Sequence, residues 1–295
     1  MKKRRMKQYI WGYFFIAPTI IGLLILNIYP IIDTILLSFQ ENLGLNRYAF
    51  LGIDNYIKVL KDPEIWLSIR NTLVFSIVSV PVSIFISLVL AWLMCKKIRG
   101  ASIYRVIYFA PLVAASAAIA MVWSWIFNTE YGVLNSILEI FHVEAISWLN
   151  NPKYAMISII IIAVWGSLGQ QLIILIVSIK NISGSYFEAA ELDGAKDRDK
   201  LFRITVPLIS PNIFFLTVTG FIGSLSQFDL IYMIYGTGYS ESLSSVQTIM
   251  YQYYKQAFVV QDKPYASSIA VITLIIILIL TMIQFWLQKK VVVYE

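Results

Sequence analysis

Cysteine occurs once in the 295 residues, at Cys95, and histidine once, at His142. One cysteine excludes an internal disulfide, and with a single histidine in an expected loop no ligand set for a metal and no Cys/His catalytic pair remains. The chain also lacks a G-x-x-x-x-G-K-[ST] phosphate loop, so it cannot bind ATP in the P-loop manner. There is no H-E-x-x-H, no G-x-S-x-G and no paired intramembrane aspartate, which argues against an intramembrane enzyme. No catalytic residue, metal or cofactor is expected. Charge is scarce as well, at 14% of residues against about 25% in ordinary soluble domains.

What fills the chain is apolar, 59% of it, and the reading is an all-α polytopic membrane protein. Hydropathy places six spans near residues 12–38, 72–94, 106–128, 154–178, 211–235 and 265–288, each long enough for the roughly 20 apolar residues a bilayer requires. The opening MKKRRMK looks like a secretory leader, but the apolar run from about Tyr9 to Phe39 is too long and has no small-residue cleavage site, so it reads as a retained first span. Pro18 and Pro30 are expected to kink it, and Asp33 near its far end has no assigned role. The expected division is 1–71 for the tail, first span and first outer loop, 72–288 for a five-helix transmembrane domain, and 289–295 for a second tail.

The formal charge of +6 carries no basic stripe with interleaved aromatics, so nucleic acid is not an expected partner. Sixteen Lys and Arg fall on one side of the expected topology and seven on the other, which makes both termini cytoplasmic by the positive-inside rule. On the other side QTIMYQYYKQAF alternates at helical spacing, with Ile249, Tyr253 and Ala257 four apart, and suggests a short interfacial helix. It serves either as an aromatic anchor or as a docking surface.

Residues 188–211, EAAELDGAKDRDKLFRITVPLISP, interrupt this pattern. Nine of the sixteen residues from Glu188 to Arg203 are charged, so the segment belongs in water or against a polar partner. Glu188 to Leu192 favours helix, Asp193-Gly194 a turn with positive φ at the glycine, and Ala195 to Ile204 a second helix. Ser210-Pro211 then reads as an N-cap and first helical residue. Ala189 and Ala190 would allow close approach of a partner, and Glu188 and Asp193 would offer it carboxylates. A solvated loop without a partner is the competing reading.

Polar side chains at membrane depth are candidates for a solute path. The fourth span carries Trp165, Gly166, Ser167, Gly169, Gln170 and Gln171, and the fifth carries Thr217, Thr219, Ser224, Gln227 and Asp229. Trp165 with Gln170, Ser224 and Gln227 could present an aromatic face and amides to a sugar. The same groups could instead join helices, an alternative left open for Gln170 and Gln171 and preferred for the threonines.

The EAA triplet with Asp193-Gly194-Ala195, Phe202, Ile204, Pro207 and Pro211 resembles the EAA motif of membrane subunits of binding-protein-dependent ABC importers. Residues 63–93, 104–128, GVLN at 132–135 and QFDLIYMI at 227–234 are similar to the carbohydrate branch, the family of the maltose and glycerol-3-phosphate permeases. This resemblance covers about residues 8–288. It implies a coupling helix at Glu188 to Gly194, including Ala189, Ala190 and Asp193, seated in a groove of a separate ATPase. It favours solute contacts around Trp165 and from Ser224 to Gln227; the expected path adds the neighbouring Gly169, Gln170 and Asp229, with Gln170 and Asp229 left open between solute and helix contact. The implied partners are a sister permease in a heterodimer, two ATPase copies, an extracytoplasmic binding protein, a carbohydrate and the bilayer. Two departures stand out: Gly184-Ser185 replaces a proline-containing approach to the motif, and Tyr235 to Ser242 replaces a glycine-proline-rich loop. An ion-coupled secondary transporter is the alternative, weakened by span interiors almost free of carboxylates and without histidine. A permease of this kind for a non-sugar solute is another.

Overall fold

The computed structural model describes residues 2–44, 47–96, 107–108, 110–238 and 240–292, and the chain falls into two compact units. The first consists of residues 1–62 and 253–272. Helix α1 (Lys2–Leu23) passes through a π-helical turn at Leu24–Ile28 into α2 (Tyr29–Leu37). The turn lies directly before Pro30, where Tyr29 N–H donates to Leu24 O five residues back. A widened turn moves the i−4 carbonyl away from the proline ring, so the helix continues where an α-helical path would clash. Strands β1 (Gln40–Asn42) and β2 (Tyr48–Phe50) form an antiparallel hairpin that pairs Glu41 with Ala49. Helix α3 (Asp54–Lys61) follows, and Asn55 Nδ2 donates to Ser38 O and Gln40 O, tying its start to the strand. Tyr265 Oη donates to Asp62 Oδ2 at 2.9 Å.

The second unit consists of residues 63–252 and 273–295. Helices α4 (Pro63–Cys95), α5 (Ser116–Ile126), α6 (Val133–Ile140) and α7 (Pro152–Lys180) precede α8 (Gly184–Leu192). After the charged segment come α9 (Ser210–Leu225), α10 (Asp229–Tyr235) and α11 (Glu241–Val246). Helices α12 (Ile249–Tyr254) and α13 (Lys263–Val291) each begin in one unit and end in the other. Helices α4 and α7 pack together along much of their length, and α9 packs against α4. Two apolar cores result. One, near α8, gathers Leu88, Ala91, Leu172, Leu175, Leu201 and Ile209; the other gathers Phe75, Ile159, Ile162, Ile231, Val246 and Tyr251. On α4 the opposite face, including Ile77, Val82 and Phe85, is exposed, as a lipid-facing surface requires.

Five helices among the described residues are long and apolar enough to cross a membrane. The third expected span, 106–128, is not one continuous helix. A helical segment over 107–113, with residue 109 outside the described set, stops at Ala114, and α5 restarts after Ala115, whose ψ of 142° is extended. The fifth, 211–235, is also interrupted: α9 ends at Leu225 and α10 begins at Asp229. Hydropathy saw one apolar run in each case because composition does not record a single extended dihedral. The break at 226–228 leaves the Gln227 carbonyl outside a helix, and Thr248 Oγ1 donates to it at 2.6 Å. QTIMYQYYKQAF is helical through α12 and a π turn at Lys255–Val259, with Tyr251 and Gln252 wholly buried.

Candidate functional site

The charged segment is a built structure. Helix α8 ends in a Schellman motif: Gly194, at φ +74°, donates from its N–H to Glu191 O, and Ala195 N–H reaches back to Ala190 O at 2.9 Å. Because Gly194 takes the left-handed conformation, the chain reverses there without the penalty a Cβ would bring. Glu188, Ala189, Leu192 and Asp193 are exposed, Leu192 at 91%, whereas Ala190 is buried. The two alanines therefore point to different faces. The second expected helix is shorter and less regular. A single turn at Asp197–Asp199 runs into a π-helical stretch at Lys200–Thr205 directly before Pro207. Ser210 lies inside α9, with Ile209 in the cap position and Pro211 in the first turn, one residue from the expected register.

Several contacts fasten this segment to the membrane helices. Phe187 meets Trp92 of α4 with ring centroids 6.0 Å apart, and Lys96 Nζ lies 5.4 Å from the Trp92 ring centre. Lys96 also pairs with Asp197 at 2.7 Å, and that hydrogen-bonded ammonium holds the Asp197 carboxyl below its usual range. Lys200, only 12% exposed, pairs with Glu191 at 2.7 Å. Leu201 and Ile209 enter the same apolar core as Leu172 and Leu175 of α7. Packed and paired side chains thus connect the charged segment to α4 and α7.

Helices α4, α7 and α9 line an open cavity of about 310 Å³. From α4 it is lined by Phe75, Ser79, Val80 and Ser83, from α7 by Ala163, Ser167, Gln170 and Gln171, and from α9 and the break after it by Leu216, Thr219, Gly220, Gly223, Ser224 and Gln227. Of the expected path residues, Gln170, Ser224 and Gln227 meet here. Trp165, Gly169 and Asp229 are not in the lining. Trp165 packs edge-on against Trp123 at 5.7 Å, Gly169 is buried, and Asp229 is an exposed carboxylate in the first turn of α10, where the helix dipole favours it. Gln171 joins helices: its Oε1 accepts from Ser87 Oγ at 2.9 Å and its Nε2 donates to Ser83 Oγ at 3.0 Å.

The α4 wall was missed by sequence reasoning. Its signal was a hydroxyl stripe, Ser68, Thr72, Ser76, Ser79, Ser83 and Ser87, spaced three or four apart, which places all six on one buried face. Among the described residues no group of three or more His, Cys, Asp or Glu could hold a metal.

Residues 71–293 match the family described as binding-protein-dependent transport system inner membrane component. The chain belongs to that family. It is 32% identical to a probable ABC transporter permease protein, YesP of Bacillus subtilis, over all of this chain and 96% of that protein. It is 29% identical to the lactose transport system permease protein LacF of Rhizobium radiobacter, over 95% of this chain and 94% of LacF. A bacterial alginate ABC transporter, solved with a pentasaccharide-bound periplasmic protein, shares the fold at TM-score 0.86 and 20% identity, over 97% of this chain and 96% of that one. This inner-membrane family thus accounts for the multi-pass architecture, and its relatives are permease components.

Proposed function

We propose that the chain is one membrane subunit of an ATP-driven importer, forming half of the path for a sugar or oligosaccharide. The solute is handed over by an extracytoplasmic binding protein. Energy comes from a separate ATPase that seats α8, with both termini and α8 in the cytoplasm. A sister permease supplies the other half of the path, and two ATPase copies complete the complex.

The observation that carries this reading is the connection of α8 to the cavity. Helix α8 presents Glu188, Ala189, Leu192 and Asp193 outward and is closed by Gly194; Phe187 of α8, and the turn after it through the Lys96–Asp197 pair, are fastened to α4, which lines the cavity with Ser79 and Ser83. An exposed leucine beside two carboxylates suits a partner groove with an apolar floor and basic rim better than free solution. The cavity wall, hydroxyls and amides beside apolar side chains, suits a sugar. Relatives named for lactose, for trehalose and maltose and for an acidic polysaccharide support a saccharide and leave its charge open.

The test is uptake in proteoliposomes holding the complete complex. Sugar accumulation is expected to need ATP and the binding protein and to survive a protonophore. Uptake that persists without the ATPase and collapses with the protonophore would instead establish ion-coupled transport.

A further inference from the structure

Resting on the saccharide reading, we infer that the cavity between α4, α7 and α9 is built for an uncharged, hydroxyl-rich solute and discriminates against acidic sugars. None of its fourteen lining residues is ionisable. The hydroxyl hydrogens on its wall are mostly committed within their own helices. Ser83 donates to Val80 O, Ser167 to Val164 O, Thr219 to Phe215 O and Ser224 to Phe221 O. A carbonyl carries no hydrogen, so in each of these contacts the hydroxyl must be the donor. Ser167, Thr219 and Ser224 therefore offer the cavity oxygen lone pairs.

The groups left with hydrogens to donate are neutral. The side-chain amides of Gln170 and Gln227 and the Ser79 hydroxyl have no hydrogen-bond partner among the described residues. A sugar hydroxyl both donates and accepts, so it can use the lone pairs and the amides together. A carboxylate only accepts. It could accept from those amides and the Ser79 hydroxyl, but it would also face the lone pairs of Ser167, Thr219 and Ser224 and meet no counter-charge from this chain, so giving up its water is repaid less than for a neutral hydroxyl. The charged side chain nearest in sequence to the lining, Asp229, adds a negative charge two residues beyond Gln227.

The test compares three ligands on the purified complete transporter in detergent: a neutral oligosaccharide, the uronate oligosaccharide of the same length, and the methyl ester of that uronate. The ester keeps ring and hydroxyls but removes the charge. Equilibrium binding of labelled ligands near pH 7 is expected to rank the neutral sugar and ester together, with the uronate weaker by about tenfold or more. Ser79→Arg, which adds a cation to the α4 wall, is expected to narrow or invert the ester-to-uronate ratio. Uronate binding equal to ester binding in the unsubstituted transporter would overturn the inference and leave the saccharide reading intact. Binding of none of the three, with an amino acid or peptide bound instead, would overturn both.

Discussion

At Gly220 a Cβ would lie 2.9 Å from Val80 Cγ1, so α9 and α4 meet where only hydrogen fits. Gly220→Ala is expected to force the helices apart at a cost of about 1–3 kcal/mol, and Val80→Ala in the same chain to recover much of it. Thermal unfolding in detergent checks both. Gln171 illustrates what a sequence can and cannot disclose about a residue. An amide at membrane depth was legible as important, but glue and solute contact demand the same side chain, and only the positions of Ser83 and Ser87 decide between them. Gln171→Leu is therefore expected to lower stability by about 1–2 kcal/mol by taking the acceptor from Ser87 and the donor from Ser83, which keeps its bond to Val80 O, with less effect on sugar affinity than Gln170→Leu. The two ion pairs of the charged segment also differ. Lys200 is mostly buried, so Glu191→Ala leaves a cation poorly solvated, whereas Lys96 and Asp197 are 39% and 69% exposed and remain hydrated when parted. Loss of transport should accordingly be greater for Glu191→Ala than for Asp197→Ala. Because Lys96 depresses the Asp197 pKa, that pair persists above the usual carboxylate range and is lost only as pH falls through the lowered value. A Lys96→Ala comparison should therefore show no pH dependence of this contact between pH 6 and 8.

Helices were the most legible elements, because a bilayer demands length and apolarity and both are compositional. Their interruptions were not. The extended Ala115 and the gap from 226 to 228 depend on dihedrals and on remote partners such as Thr248, which sequence order hides. Two of the three π turns among the described residues follow the same logic from the opposite direction: those at 24–28 and 200–205 each precede a proline, Pro30 and Pro207, that an unbroken α-helix would not tolerate. Thr248→Val is expected to leave the Gln227 carbonyl unpaired and to destabilise the α9–α10 break by about 1–3 kcal/mol. Hydrogen exchange at residues 226–230, faster than in the unsubstituted chain, would show it; unchanged exchange would mean that water or another group satisfies that carbonyl.

At the scale of the molecule, composition and charge asymmetry disclosed a multi-pass protein with a polar segment set apart from its spans, and the EAA motif marked the segment proposed to meet a partner. The cavity was legible on α7 and α9, where amides stand out, and illegible on α4, where serines at three- and four-residue spacing resemble ordinary small-residue packing. What the fold adds is the path between them, from exposed Glu188 through Phe187 and Trp92 to the serine wall. ATP-driven sugar uptake by the reconstituted complex carrying Glu188→Arg tests that path most directly. Uptake and sugar-stimulated ATP hydrolysis should both fall to background while the chain still inserts and pairs with its sister subunit; uptake at the unsubstituted rate would contradict a coupling role for α8.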